Sequence, residues 1–262
     1  MAFDLELFDA KHRGQVKKRK PVVAVVAGDI HFGDHDMKLL KLFIYYVKWL
    51  QPDHIFLNGD VLDCYSVSKY SKTPLRMNQL QIEIDLANEF LDILQKTCPN
   101  AKIWFHDGNH DIRLKLFAEK HHEIGSLRDF STQGFLRLRE RGIDYAPYTE
   151  HTKFGDLYIY HGNIASKHSA SSYLDRWGVS GIFNHKHNIQ MMMKTDMSKT
   201  IKAYINGCMC SLTPHYKSAG PVNWQQGWAV LKKVGEKTHV EQIIVEDYAF
   251  LYQDHQFSLR SN

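Results

Sequence analysis

Three short apolar runs, each ending in a cluster of acidic and polar residues, constrain this chain more than any other feature. Val22-Val23-Ala24-Val25-Val26-Ala27 is continuous and apolar and stops at Gly28-Asp29, the pattern of a strand covered on both faces. Leu40, Phe43, Ile44, Val47 and Leu50 then recur at helical spacing, Pro52 marks a stop, and Ile55-Phe56-Leu57 runs into Asn58-Gly59-Asp60. The unit repeats. Leu80, Ile84, Ala87, Leu91 and Leu94 share a helix face, Pro99 breaks it, and Ile103-Trp104-Phe105 runs into Asp107-Gly108-Asn109-His110-Asp111. In open α/β sheets the ligand site lies outside the carboxyl ends of the strands, so the three polar clusters should converge on one site.

A helical stretch is expected from about residue 112 to Arg141. Beyond it the texture changes to strands and hairpins: Thr152 to Phe154, a Gly155-Asp156 turn, Leu157 to Tyr160, and then residues 189–193, 201–205, 228–234 and 239–245, the last two joined across Gly235-Glu236-Lys237. The expected fold class is α/β, with two packed mixed β-sheets flanked by helices. Residues 1–20 read as a basic N-terminal arm and residues 21–262 as one domain, since no linker interrupts them.

Composition narrows the function classes. With 262 residues, 44% hydrophobic, the chain can bury a sizeable core, and no apolar run approaches the roughly 20 residues of a membrane span. A signal-peptide series is absent from the first residues, so the reading is a cytoplasmic protein with no membrane partner. Cys64, Cys98, Cys208 and Cys210 lack disulfide spacing and read as free thiols packed as small hydrophobes. The net charge of +4 is modest, but Lys11, Arg13, Lys17, Lys18, Arg19 and Lys20 concentrate near the start, as a solvated arm or a contact for phosphate backbones. The 16 histidines direct attention to metal-ligand spacing.

Asp29-x-His31 puts a carboxylate and an imidazole just past a strand, where both can turn toward one metal. Alone it is also a polar turn with a helix cap, and Gly59-Asp60-x-x-Asp63 is as ambiguous. Gly108-Asn109-His110-Asp111 is sharper, because turn formation accounts only for Gly and Asn. Tyr160-His161-Gly162 ends another strand, and His185-x-His187 follows Gly181-Ile182-Phe183. His35, His121, His122, His151 and His168 have no such spacing.

In this order, D-x-H, G-D-x-x-D, G-N-H-D, H-G and H-x-H resemble the signature of the calcineurin-like metallophosphoesterases, over roughly residues 22–190. The resemblance implies a four-layer sandwich and two divalent metal ions. Asp29, His31, Asp60 and His187 would hold one ion, and Asp60, Asn109, His161 and His185 the other. A shared carboxylate is expected on physical grounds, because two close cations repel unless an anion lies between them. Nitrogen and oxygen ligands without thiolate fit manganese, the leading expectation, and also iron, zinc or nickel. The family's last block is usually G-H-x-H, whereas this chain has Asn184 at the glycine position. Asn tolerates a left-handed backbone best among the other residues, so the turn is expected to persist.

The same resemblance gives His110 the part of the non-ligand histidine that protonates the leaving oxygen, with Asp111 or Asp63 hydrogen-bonded to it; Asp63 has a purely loop-fixing role as the alternative. Arg113 and Arg76 are candidates for substrate phosphate, with Lys69 and Lys72 flanking the cleft. The partner is therefore a phosphate ester. Tyr65, Tyr70 and Tyr173 and the basic arm favour a phosphodiesterase, including a nuclease acting on DNA or RNA. A phosphomonoesterase or cyclic-nucleotide phosphodiesterase uses the same chemistry, and a non-catalytic scaffold is the minor alternative. The segments Asn206-Gly207-Cys208-Met209-Cys210 and Asn223-Trp224-Gln225-Gln226-Gly227 also look like those of small metallophosphoesterases from tailed bacteriophages. No heptad or apolar interface can be read, so the oligomeric state stays open.

Overall fold

A computed structural model describes residues 20–72, 79–127, 129–213 and 222–259. Strand β1 (Val22–Ala27) is followed by helix α1 (Met37–Leu50), β2 (His54–Asn58), α2 (Leu80–Thr97) and β3 (Lys102–His106), so both predicted βαβ units form. Asp36 caps α1 by accepting from the amides of Lys38 and Leu39, and Gln51 ends it in a left-handed conformation just before Pro52.

The expected helix over 112–141 does not form as one element. It divides into α3 (Arg113–Ala118), α4 (His122–Gly125) and α5 (Thr132–Phe135) and gives way to a short strand, β4 (Asp144–Ala146). The stretch lacks a continuous apolar stripe, so a longer helix has no face to bury. The second half comprises β5 (Thr152–Phe154), β6 (Leu157–Tyr160), α6 (Ser169–Trp177), β7 (Gly181–Phe183), β8 (Gln190–Thr195), β9 (Thr200–Ile205), β10 (Gln226–Val234), β11 (Lys237–Val245), β12 (Ala249–Tyr252) and β13 (His255–Ser258). Helix α6 and the final hairpin escape the sequence reading because α6 is serine-rich and the hairpin strands are four residues each.

The strands form two mixed sheets, ordered β11-β10-β1-β2-β3-β4 and β5-β6-β7-β9-β8. Strands β1 to β4 are parallel, while β10 pairs antiparallel with β1, so residues far apart in sequence share the central sheet. The alternation along β1 shows how the layers stack. Val25 and Ala27 face the core beneath α1 and α2, whereas Ala24 and Val26 join Phe56, Ile159 and Ile182 between the two sheets. Tyr173 and Leu174 of α6 pack on the outer face of the second sheet against Phe183 and Ile205. The result is helix, sheet, sheet, helix. Among the described residues no helix is long and apolar enough to cross a membrane.

The hairpin β12–β13 folds back on α1. Tyr46 meets Phe250, Tyr252 and Phe257 edge-on at 5.2, 5.4 and 5.2 Å between ring centroids, and Trp228 meets Phe250 at 5.1 Å. Truncating an aromatic in this cluster removes both its buried area and its ring contacts. Phe250→Ala should therefore lower unfolding free energy by about 3–5 kcal/mol in urea denaturation; a loss below about 1 kcal/mol would show that the hairpin does not contribute to the core.

Candidate metal centre

The site is built where the carboxyl ends of β1, β2, β3, β6 and β7 meet, and the backbone turns sharply to bring the side chains inward. Asp29, His31, Asp60, His185 and His187 all take positive φ, at 51, 51, 52, 75 and 62°. Such left-handed geometry is costly for residues with a side chain and is a mark of functional sites. Amides just past β1 tie its turn to that of β2: Asp29 donates to the Gly59 carbonyl at 2.9 Å and His31 to that of Asp60 at 2.9 Å. Gly108 lets the β3 end approach, because a Cβ there would collide with Asp60.

Four groups of ligand-type atoms form among the described residues: Asp29 with His31 and His187, Asp60 with His161 and His185, and two that overlap the first, His31 with Asp63 and His110, and His187 with Cys208 and Cys210; within each, the atoms lie within 4.8 Å of one another. Nε2 of His31 and of His187 are 3.2 Å apart, and His187 Nε2 is 3.3 Å from Asp29 Oδ1. On the other side, His161 Nε2 is 3.3 Å from Asp60 Oδ2 and 3.2 Å from Asn109 Oδ1, and His185 Nδ1 is 2.6 Å from the same amide oxygen. Asp60 Oδ2 also lies 3.8 Å from His31 Nε2, so this carboxylate stands between the first two groups.

The protonation pattern asks for a cation. His161 donates from Nδ1 to the Asn58 carbonyl at 2.8 Å, which turns the Nε2 lone pair toward the Asp60 and Asn109 oxygens. Lone pairs facing one another repel unless a proton or a metal ion sits between them. Burial opposes charging His161, but the Asp60 carboxylate outweighs it and raises its pKa to about 9. Burial likewise opposes charging His187, and Asp29 prevails, raising it to about 8. Burial also disfavours the Asp29 and Asp60 carboxylates, yet the neighbouring histidines hold both below the usual carboxylate range. His185 is kept neutral, lowered to about 4 by burial and by the charge of His161. Mixed imidazole, amide and carboxylate donors fit divalent transition ions.

Asp63 and Asp111 have different surroundings. Asp63 Oδ1 accepts from His110 Nδ1 at 2.8 Å and lies 3.4 Å from His31 Nδ1, so it orients two imidazoles. No hydrogen bond joins Asp111 to the His110 ring. Its oxygens accept from the backbone amides of Leu62 at 2.9 Å and Gly108 at 2.8 Å, joining the β2 and β3 loops. Arg113 reaches His110 Nε2 at 2.9 Å and the Asp63 carbonyl at 2.7 Å. Arg76 and residues 1–19 of the basic arm lie outside the described residues. Lys72 donates to the Ser68 and Tyr70 carbonyls and holds its own loop instead of facing the cleft. Tyr173 is no stacking platform: it is buried flat against Phe183 and its hydroxyl accepts from the amides of Asn163 and Ile164.

Asn184 departs from expectation, since it is not among the positive-φ residues and the left-handed positions fall on His185 and His187. Its buried amide instead accepts from Asn58 Nδ2 at 2.9 Å and donates to Asp29 Oδ2 at 3.2 Å, fixing a carboxylate of the site. Gly28 makes the space, because a Cβ there would press on Asn184. Sequence reasoning also missed Cys210, whose Sγ is 3.8 Å from His187 Nδ1. Only the C-x-C spacing hinted at it.

Strand-end turns that gather carboxylates, imidazoles and an amide around Asp60 accord with a metal-dependent phosphoester hydrolase. A family model described as calcineurin-like phosphoesterase matches residues 23–244, and the chain belongs to that family. It is similar to the Gene 54 protein of Mycobacterium phage L5, 27% identical over 241 residues, covering 84% of this chain and 92% of the relative. The Gene 54 protein of Mycobacterium phage D29 is 24% identical, with 88% and 96% covered. Among solved structures, Vacuolar Protein Sorting 29 from Cryptosporidium parvum superposes with a TM-score of 0.49 at 13% identity, covering 92% of this chain and 100% of that one. The family implies divalent metal ions in this site.

Metal binding here must displace protons. Below their pKa values of about 9 and about 8, His161 and His187 carry protons where an ion would sit, so affinity should fall as pH is lowered from 8 to 6. Manganese titration calorimetry should show that slope, and Asn184→Ala should weaken binding by about 10-fold or more at every pH, as loss of a ligand-orienting partner does. A pH-independent affinity equal in the two proteins would contradict both readings of the site.

Proposed function

We propose that the chain hydrolyses phosphodiesters with two divalent ions, one held by Asp29, His31, Asp60 and His187 and the other by Asp60, Asn109, His161 and His185. The observation that carries this reading is the position of Asp60 Oδ2, 3.8 Å from His31 Nε2 and 3.3 Å from His161 Nε2, as a shared ligand requires. Ions bound there would supply an acidified water and neutralise charge on the phosphoryl oxygens. Manganese is the proposed metal, and iron, zinc or nickel suit the same donors.

The remaining residues orient and protonate. His110 Nε2 lies 4.0 Å from Asp60 Oδ2 on the open side of the site, and its Nδ1 is fixed by Asp63, so Nε2 is aimed where a leaving oxygen departs. Arg113 now donates to that Nε2. A phosphate arriving beside it would draw the guanidinium away by a charge-assisted contact and free Nε2 to carry a proton. Asp111 acts at a distance by holding the Asp60 and Asn109 loops in register.

A diester needs room for organic groups beyond the scissile phosphate, and a cleft of about 510 Å³ opens from Asn109 and Arg113. A second reading, a phosphomonoesterase, draws on Arg113, whose charge would suit the extra negative charge of a monoester. Metal-stripped protein resupplied with manganese should cleave bis(p-nitrophenyl) phosphate faster than p-nitrophenyl phosphate. His110→Ala should lose about 10²–10⁴-fold on a diester with an alkyl leaving group and less on the nitrophenyl ester, whose leaving group needs no proton. Preference for the monoester would replace the diester reading, and cleavage independent of metal would sink both.

A further inference from the structure

The cleft beside the metal centre has a composition that hydrolysis alone does not require. Helix α3 leads away from Asn109, and its Arg113, Leu116 and Phe117 line the cleft together with Lys120 from the turn just past the helix end. Lys69 and Tyr70, from the loop after the short 3₁₀ turn Tyr65–Val67, form the opposite wall, with the Lys69 ammonium 5.7 Å from the Tyr70 ring centroid. Tyr148 closes the inner end, its ring 6.4 Å from that of His161. Tyr70 is 62% exposed although it sits at the mouth of the cleft, and both lysines are exposed.

Two properties set this cleft apart. Among the described residues its lining contains Lys69, Arg113 and Lys120 and no carboxylate, whereas the neighbouring cavity on the other side of Ile112 and Leu116 carries Asp107 and Glu119 beside Lys115. It also combines these cations with aromatic faces, so it offers an anion site and a stacking site within one reach of Asn109. From Arg113 to Ala118 helical rise spans about 7–8 Å, and the flexible lysine arms extend that reach. A simple phosphate would use only the metals and Arg113.

We infer that this cleft is a subsite for a phosphorylated nucleoside unit next to the scissile phosphate, with Tyr70 and Tyr148 taking the base and Lys69 and Lys120 the next phosphate. This rests on the diester-hydrolase reading of the adjoining site. Stacking on aromatic faces is tolerant of base identity, so the subsite selects for a nucleotide without selecting a sequence. The phosphate contacts make affinity depend on salt. The same unit is presented by a free nucleotide carrying two phosphates and by a single nucleic-acid strand.

The test is calorimetric binding in manganese to the full chain carrying His110→Ala, which slows cleavage of the strand, comparing inorganic phosphate, thymidine 3′,5′-bisphosphate and octathymidylate. The bisphosphate should bind about 10-fold or more tighter than phosphate. Lys69→Ala and Lys120→Ala should each erode that preference by about 5-fold, and Tyr70→Ala by a similar factor, while exposed Lys202→Ala on the second sheet should change nothing. For octathymidylate, the slope of log affinity on log salt should become shallower by about 0.7 for each lysine removed. Octathymidylate binding tighter than the bisphosphate identifies a strand as the occupant, and equal affinity identifies a free nucleotide; either supports the subsite. A bisphosphate no tighter than phosphate, or a preference that survives the Lys69→Ala/Lys120→Ala double substitution, overturns it. Because binding needs no turnover, failure of the unaltered chain to cleave any ester with the preference intact would remove the hydrolase reading alone, and ester cleavage without the preference would remove the subsite alone.

Discussion

Buried negative charge is the constraint on which the rest of this structure depends. Asp29, Asp60, Asp63, Asp107 and Asp111 are all buried near the strand ends, and burying carboxylates is unfavourable unless something positive or hydrogen-bonding compensates. Three solutions are used. Asp111 is met by backbone amides, Asp63 by two imidazoles and the edge of Arg113, and Asp107 by the Tyr145 hydroxyl, with burial pushing its pKa up to about 8. Asp29 and Asp60 also accept from backbone amides, but their remaining oxygens face imidazole nitrogens that are themselves buried, and this pair of carboxylates is the natural seat of divalent cations.

The same requirement accounts for the strained backbone. Ligand-type atoms converge from five strands, and at the ends of three of them, β1, β2 and β7, five non-glycine residues take left-handed conformations. Gly59 and Gly108 supply the remaining clearance, since a side chain at either would strike His161 or Asp60. The two-sheet core behind the site, with Val26, Phe56 and Ile182 interlocked, is the rigid frame that holds such turns in place.

Much of this was legible in the sequence because its signals are local. Uninterrupted apolar runs such as Val22–Ala27 report strands covered on both faces, and the five polar blocks lie at the ends of such runs, so the convergence of Asp29, Asp60 and Asn109 follows from parallel connectivity. What escaped is nonlocal. The amide of Asn184 bridges Asn58 and Asp29, partners 126 and 155 residues away, and nothing in its neighbours announces that role. Residues 112–141 form three short helices because no apolar stripe runs through them, and the cleft-lining face of α3 becomes visible only once Lys69, Tyr70 and Tyr148 are brought near it. Tyr173 shows the reverse case: an aromatic near a site in sequence that is spent on the core.

The family places divalent-metal chemistry in this site, and the form proposed for it is a carboxylate shared by two ions, with a histidine and an arginine on the open side. The most direct test is electron paramagnetic resonance of the manganese-loaded chain with metal content measured in parallel. Two manganese ions per chain with the exchange-coupled spectrum of a pair roughly 3.5–4 Å apart, reduced to isolated ions or none in Asp60→Ala, is the predicted result. A single uncoupled ion in the unaltered chain at saturating manganese would contradict the shared-carboxylate centre.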